Sequence, residues 1–332
     1  MLTDHLAGFE RHLRILQALS EKSVKVYSRK VRDFCEWSAA QKRPTDPARI
    51  TREDVEAYLE YLFYQQNANP TRMTKLVALR KFFRYLAYEL VITEDVTARI
   101  PLPKVRKKFV QRFTKTETLR IFSAIPLTTE KGLRDAVVII LAAFCGLRIG
   151  EIISLTLHDI IDEGKSLDIQ IVGKFEKPRR LYLWKAASEP LRSWLAVRLS
   201  QGARASDPLI ISYRRGRNGS CAKGHRMTTA SLDEMVKQYA AAASIRKPKI
   251  SMHMFRASHA FDLRHIQGYD TPAIAERLGH ANIATTDRYI PTRGRIHHTY
   301  PSLSIYWKDF TRIWERRNDQ NAATAQLVPM NR

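Results

Sequence analysis

The sequence predicts a mainly α-helical protein with one small β-hairpin, divided into two units. Three observations carry this expectation. Apolar residues recur at helical spacing over most of the chain, and one pair of β-prone runs interrupts them. A proline-punctuated basic stretch after residue 100 separates two self-contained patterns. The length of 332 residues suits about two ordinary cores, and a hydrophobic share of 44% marks a globular chain.

The first unit, residues 1–103, reads as a bundle of four helices. In EKSVKVYSRKVRDFCEW, Val24, Tyr27, Val31 and Phe34 form one apolar stripe. Lys22, Lys25, Arg29 and Arg32 repeat the spacing two residues displaced, which puts them on the opposite face. A solvated face is one reading of these four; like charges without interleaved acids repel along one helix, so phosphate contact stands at least level with it. Thr51 followed three residues later by Asp54 resembles a capping box and opens the helix ITREDVEAYLEYLFYQ. A helix over roughly residues 71–90 is expected to bury Leu76, Leu79, Phe83 and Leu86 and to expose Arg72, Lys75, Arg80 and Arg84. These four are the second candidate set of DNA contacts.

Pro101 and Pro103 end that unit, and KVRKKFVQRF, residues 104–113, is a basic linker without an apolar period. Thr114 and Glu117 cap the next helix. The second unit, residues 114–300, is helical apart from LDIQIV and RRLYLW, which GKFEKP separates as a hairpin turn. RRGRNGSCAKGHR is a long basic loop, in which Cys221 and His225 are loop residues. The tail, residues 301–332, resumes a helical pattern in PSLSIYWKDFTRIWERR, with Leu303, Tyr306, Phe310, Ile313 and Trp314 on one face. No repeat of solenoid period is present.

Charge narrows the partner. Lysine and arginine number 56 against 33 acids, a net charge of +23, which calls for a polyanion: nucleic acid or an anionic membrane. The longest apolar run, residues 136–147, is about a dozen residues, too short for a bilayer. MLTDHLAGFERHLRIL carries charges where a signal peptide needs an apolar core. Cys35, Cys145 and Cys221 make no CxxC pair, so neither a disulfide framework nor a zinc site is expected, and a reducing cytoplasm fits. Nucleic acid leads.

Chemistry enters at LGHANIATTDRYI, where His280 precedes Tyr289 by nine positions. A tyrosine attacking a phosphodiester needs fixed cations for the nonbridging oxygens and a proton donor for the leaving 5′-oxygen. Arginines suit the first task, because their forked donors match phosphate and stay charged. Arg148 follows Gly146 where one apolar helix stops and another begins, and Glu151, three residues on, can orient it. HMFRASHAFDL sets His253 and Arg256 on one helical face.

GLRIGE, a hairpin lysine, HxxR and LGH…TTxxY follow one another as they do in the tyrosine recombinase (phage integrase) family, which the chain resembles over nearly its whole length. The resemblance implies a helical core-binding (SAM-like) domain plus a tyrosine recombinase catalytic domain. It makes Tyr289 the nucleophile of a 3′-phosphotyrosyl link, with Arg148 and Arg256 clamping the scissile phosphate and His280 donating to it. His253 would assist proton transfer and Glu151 would support the site. Lys174 matches the lysine that protonates the 5′-oxygen, with Lys177 a second candidate, because the turn reads GKFEK where GKG is frequent. Ala257 stands where the family commonly has histidine, and Ile290 and Pro291 follow the tyrosine where Y-x-H is frequent.

The resemblance also implies a cutting and rejoining reaction on double-stranded DNA with paired inverted half-sites, without metal, ATP or other cofactor. The working form would be a homo-oligomer, a dimer per site and a tetramer in synapsis, with the tail helix contacting a neighbouring protomer. The layout is that of Xer-like or transposon-borne members, without a preceding arm-binding domain. Two other readings are a non-catalytic DNA-binding protein on this fold and a type IB topoisomerase. A general acid kept together with a nucleophile argues against the first; relaxation of supercoils without a specific site would identify the second.

Overall fold

The computed structural model describes residues 1–105, 110–164, 166–171, 178–213, 224–279 and 309–317. The chain divides into two compact units, Met1–Lys107 and Lys108–Arg332.

The first unit contains four α-helices: α1 (Leu6–Ile15), α2 (Glu21–Ala40), α3 (Arg52–Tyr64) and α4 (Asn69–Tyr88). Ser20 caps α2, its hydroxyl accepting from the Ser23 amide. Asp54 accepts from the Thr51 amide at 3.0 Å, so a carboxylate one carbon shorter than glutamate still closes the capping box of α3. Val24, Val31 and Phe34 turn inward from α2, and the Phe34 ring meets Tyr58 edge-on at 5.2 Å. Lys22, Lys25, Arg29 and Arg32 are all exposed.

On α4 the apolar positions lie inside as expected, but the basic row does not stand free. Phe82 and Tyr85 are buried along with Leu76, Leu79, Phe83 and Leu86, because α4 packs against α1, α2 and α3 together. A front that wide draws basic side chains inward. Lys75 donates to Asp33 at 2.8 Å and to the Tyr58 hydroxyl at 3.0 Å. Arg80 donates to the Ile100 carbonyl, and Arg72 lies over the Phe63 ring. Only Arg84 is exposed, 3.4 Å from Asp95. The expectation of four exposed cations on this helix is corrected accordingly.

The second unit is built round α6 (Glu130–Ala143), which follows α5 (Lys115–Ser123). Thr114 and Glu117 form the capping box of α5 through reciprocal bonds of 2.7 and 3.2 Å. Every residue of α6 from Arg134 to Ala143 is buried, since α8 (Lys185–Ser200) and α10 (His253–His265) pack against it. The apolar run is thus the central helix of a core, and no described helix is long and apolar enough to cross a membrane. After the short α7 (Ile149–Ser154) comes an antiparallel sheet of β1 (Ile160–Asp162), β2 (Ser166–Ile171) and β3 (Arg179–Trp184), in that order. Pairing of Ile169 with Leu181 and of Ile171 with Arg179 sets the hairpin register. The third strand, β1, is an addition to the expected hairpin. α9 (Thr229–Ala242) and α11 (Thr271–Leu278) belong to the same unit.

Residues 309–317 form a helical stretch packed on their own unit. Phe310 is fully buried, its ring 4.3 Å from Phe122 and 5.3 Å from Phe144. Asp309 pairs with Lys115 at 2.8 Å, and Arg317 donates to the Ile125 carbonyl at 2.6 Å. An aromatic slot between α5 and α6 takes this stretch in its own chain. Leu303 and Tyr306 lie outside the described residues.

Candidate active site

The site starts from a turn that only glycine fits. Where the chain leaves α6, Gly146 adopts φ +65°, and a Cβ there would sit 2.5 Å from the His259 ring and 2.8 Å from the Leu278 side chain. That close approach lets three segments meet: the Gly146 turn, α10 and the end of α11. Arg256, from α10, ties them together. Its guanidinium donates to the Gly146 carbonyl at 2.6 Å and to the Leu278 carbonyl at 2.7 Å, and it is 1% exposed.

Two residues past Gly146, Arg148 is the N-cap of α7. Its amide donates to one Glu151 oxygen at 2.8 Å and its guanidinium to the other at 2.9 Å. A further guanidinium nitrogen donates to the Gly279 carbonyl at 2.6 Å. The Arg148 side chain remains 33% exposed, so it is the member of the group that faces outward.

Glu151 serves a third arginine. Arg179, the first residue of β3, donates to Oε2 at 2.8 Å, and Arg256 stands 3.8 Å from the same oxygen. Burial alone would push the Glu151 carboxyl up. The Arg179 hydrogen bond, the Arg148 amide and the charges of Arg179 and Arg256 outweigh it and hold the group below its ordinary value. Among the described residues, one carboxylate therefore stands amid three guanidiniums, an arrangement suited to an anion.

His253 opens α10 and stands exposed at its edge. Desolvation on its protein side, then Arg256 and Arg148, lower its pKa, so the ring is neutral at pH 7. His259, one turn after Arg256, is buried, and its Nε2 has no hydrogen-bond partner among the described residues. Burial first, then Arg277 and Arg256, bring its pKa down to about 3. The unfolded chain binds that proton near 6.5, so the stability His259 lends is full above this value and drains away as pH falls toward 3. The slope is at most about 1.4 kcal/mol per pH unit for one proton. Urea unfolding at about pH 7 and pH 5 should show His259→Gln losing less stability than the parent between the two; equal losses would remove His259 as the cause.

The structure thus brings together Arg148, Glu151, His253 and Arg256 from the sequence-predicted set. Lys174, Lys177, His280 and Tyr289 lie outside the described residues. Arg148 and Arg256 hold the carbonyls of Gly279 and Leu278, the two residues that lead into His280. Sequence reasoning missed Arg179 and His259. The only signal for Arg179 was a basic residue opening a β-prone run; for His259 it was a histidine three residues beyond Arg256. Among the described residues no group of three or more His, Cys, Asp or Glu could hold a metal ion.

Residues 111–293 match the model of the phage integrase family, and residues 6–89 match its N-terminal SAM-like domain. The tyrosine recombinase XerD of Listeria monocytogenes serovar 1/2a (strain ATCC BAA-679 / EGD-e) is 27% identical over 293 residues, 87% of this chain and 94% of that protein. The fold is shared with the XerH site-specific recombinase bound to palindromic difH substrate, at TM-score 0.64 and 21% identity over 86% of this chain and 80% of that one. It is shared too with a lambda integrase tetramer bound to a Holliday junction, at TM-score 0.64 and 16% identity over 90% of this chain and 80% of that one. Two arginines and a glutamate gathered at one turn, on a chain matched over more than half its length, have one reading: the chain belongs to the phage integrase family of tyrosine recombinases, enzymes that break and rejoin DNA.

Proposed function

We propose that this recombinase acts at specific DNA sites, with Tyr289 as nucleophile. The Tyr289 oxygen forms a bond to the scissile phosphorus while the bond to the 5′-oxygen breaks, leaving a 3′-phosphotyrosyl link. The phenolic proton passes toward neutral His253, and the leaving 5′-oxygen takes a proton from Lys174. In the reverse direction a 5′-hydroxyl attacks the link and frees Tyr289. The phosphoester bond energy is kept, so no nucleotide need be spent.

The observation that carries this reading is the joint anchoring of Arg148 and Arg256. Arg148 caps α7 and Arg256 comes from α10. Both are fixed by adjacent backbone carbonyls at the end of α11, Gly279 for Arg148 and Leu278 for Arg256, which also holds the Gly146 carbonyl. Donors held before the reaction need no rearrangement when charge develops on the nonbridging oxygens. His280 adds a further donor in this scheme. The exposed stripe of Lys22, Lys25, Arg29 and Arg32 suits a duplex backbone, as does Arg84.

The relatives support an assembly on DNA. One is bound to a palindromic substrate and another forms a tetramer on a Holliday junction. We read the same arrangement here: paired inverted half-sites, a dimer on each site and a tetramer in synapsis. The slot filled by Phe310 would receive a neighbour's tail in exchange for its own, which gives assembly a handle on the segment after Tyr289. A DNA substrate of this kind implies work in the cytoplasm, at the nucleoid.

Nicked duplexes with randomised arms test the reading. The protein should form a detergent-resistant covalent adduct in the presence of chelator, and sequencing the trapped DNA should recover inverted repeats. No adduct from any sequence, or one that needs added magnesium, would overturn it. On the recovered site, a bridging 5′-sulfur makes a leaving group that needs little protonation. It should restore cleavage to Lys174→Ala; restoration of Lys177→Ala instead would move the acid to that residue.

A further inference from the structure

We propose that Arg179 is a positioning residue of the phosphate clamp, acting on Arg148 through Glu151. The inference rests on the phosphate-clamp reading above.

Glu151 offers two carboxylate oxygens to several donors. Oε1 takes the Arg148 guanidinium at 2.9 Å, while Oε2 takes the Arg148 amide and the Arg179 guanidinium, both at 2.8 Å. The plane of the carboxylate is therefore set from the β3 side by Arg179 and from the α7 side by the amide. With that plane set, Oε1 has one direction left, toward Arg148. Arg179 and Glu151 are nearly enclosed, at 11% and 10% side-chain exposure, whereas Arg148 is 33% exposed. Arg179 and Arg148 thus meet on one carboxylate, and of the two Arg148 is the more open.

Charge leads to the same place. Burial works against an ionised Glu151, and the Arg179 hydrogen bond is the strongest influence opposing it. Without Arg179 the carboxylate gains a proton more readily, and a neutral carboxyl holds a guanidinium less firmly. Arg148 would then sample orientations away from the phosphate. Arg256 would keep its two carbonyl anchors at Gly146 and Leu278, so the damage would fall mainly on Arg148.

The test uses the full chain on its recovered site, with the scissile phosphate either ordinary or replaced by a methylphosphonate. The methyl group removes the negative charge that the clamp has to meet. Arg179→Ala should lower the single-turnover cleavage rate on the ordinary phosphate by about 10- to 100-fold, the scale of losing an outer partner that orients a directly acting group. Half-site affinity should stay within about twofold, since the exposed DNA-facing cations are untouched. Arg179→Lys, which keeps one donor for Oε2, should recover part of the rate and covers the case in which the alanine variant folds poorly. On the methylphosphonate the deficits of Arg179→Ala and Arg148→Ala should shrink together.

If Arg148→Ala is relieved on the methylphosphonate but neither Arg179 variant is, Arg179 holds only the sheet and the inference is wrong. If Arg148→Ala itself gains nothing, the phosphate-clamp reading fails. A wild-type rate for both Arg179 variants on ordinary phosphate also overturns the proposal.

Discussion

Tyr289→Phe is expected to bind its DNA site as wild type does and to form no covalent adduct. The substitution removes one oxygen and keeps the ring, and it leaves the cations proposed to meet DNA untouched. What disappears is the only atom that can bond to the phosphorus in the proposed scheme. A nicked suicide substrate gives the readout, because loss of the short 5′ fragment prevents rejoining and traps every cleavage event. Wild type should accumulate as a detergent-resistant species, while the variant should stay at background with half-site affinity within about twofold. An equal adduct yield from the variant would move the nucleophile to another residue. A loss of binding in proportion to the loss of adduct would mean that the phenol oxygen supports the fold.

The helices were legible because their burial is periodic. Leu76, Leu79, Phe83 and Leu86 recur at the spacing that a single buried face requires, and all four are fully buried. Helix starts were legible where the cap is local: Thr51 with Asp54 and Thr114 with Glu117 each act across three residues. The hairpin could be read from two β-prone runs, but β1 could not. Three residues carry no alternation to detect, and its pairing of Ile160 with Ile169 is set by the sheet.

Charged side chains were the harder part. Lys75 has the spacing of an exposed residue, yet Asp33 and the Tyr58 hydroxyl lie where its ammonium reaches inward. Nothing along α4 itself signals that. The Arg148 and Glu151 pair was visible because both lie on one turn of chain. The Arg179 and Glu151 pair spans 28 residues and exists only once the fold has brought the start of β3 beside α7. The tail shows the same limit. Its apolar face was readable, but whose surface would cover it was not, and Phe122 and Phe144 of the same chain do so.

Arg256→Ala is expected to lose both cleavage and stability, and the two losses can be separated. Arg256 is 1% exposed and gives one donor each to the carbonyls of Gly146 and Leu278. Alanine would leave both carbonyls short of a donor in a closed site, a cost of about 1–3 kcal/mol for each that water cannot reach. It would also take a neighbouring cation from Glu151, whose ionisation depends in part on that charge. The thermal midpoint should therefore fall by several degrees for a unit of this size, roughly 2–4 °C per kcal/mol. Cleavage measured well below that midpoint should fall by about 100- to 1,000-fold, the scale of one lost oxyanion donor. Arg256→Lys separates the two effects. Its ammonium keeps the charge near Glu151 but lacks the fork that spans Gly146 and Leu278. Stability should recover further than cleavage, because the charge returns while the turn before Arg148 and the end of α11 are no longer tied by one planar group. An unchanged melting temperature in Arg256→Ala, with cleavage within about tenfold of wild type, would mean that neither the anchoring nor the clamp depends on this residue.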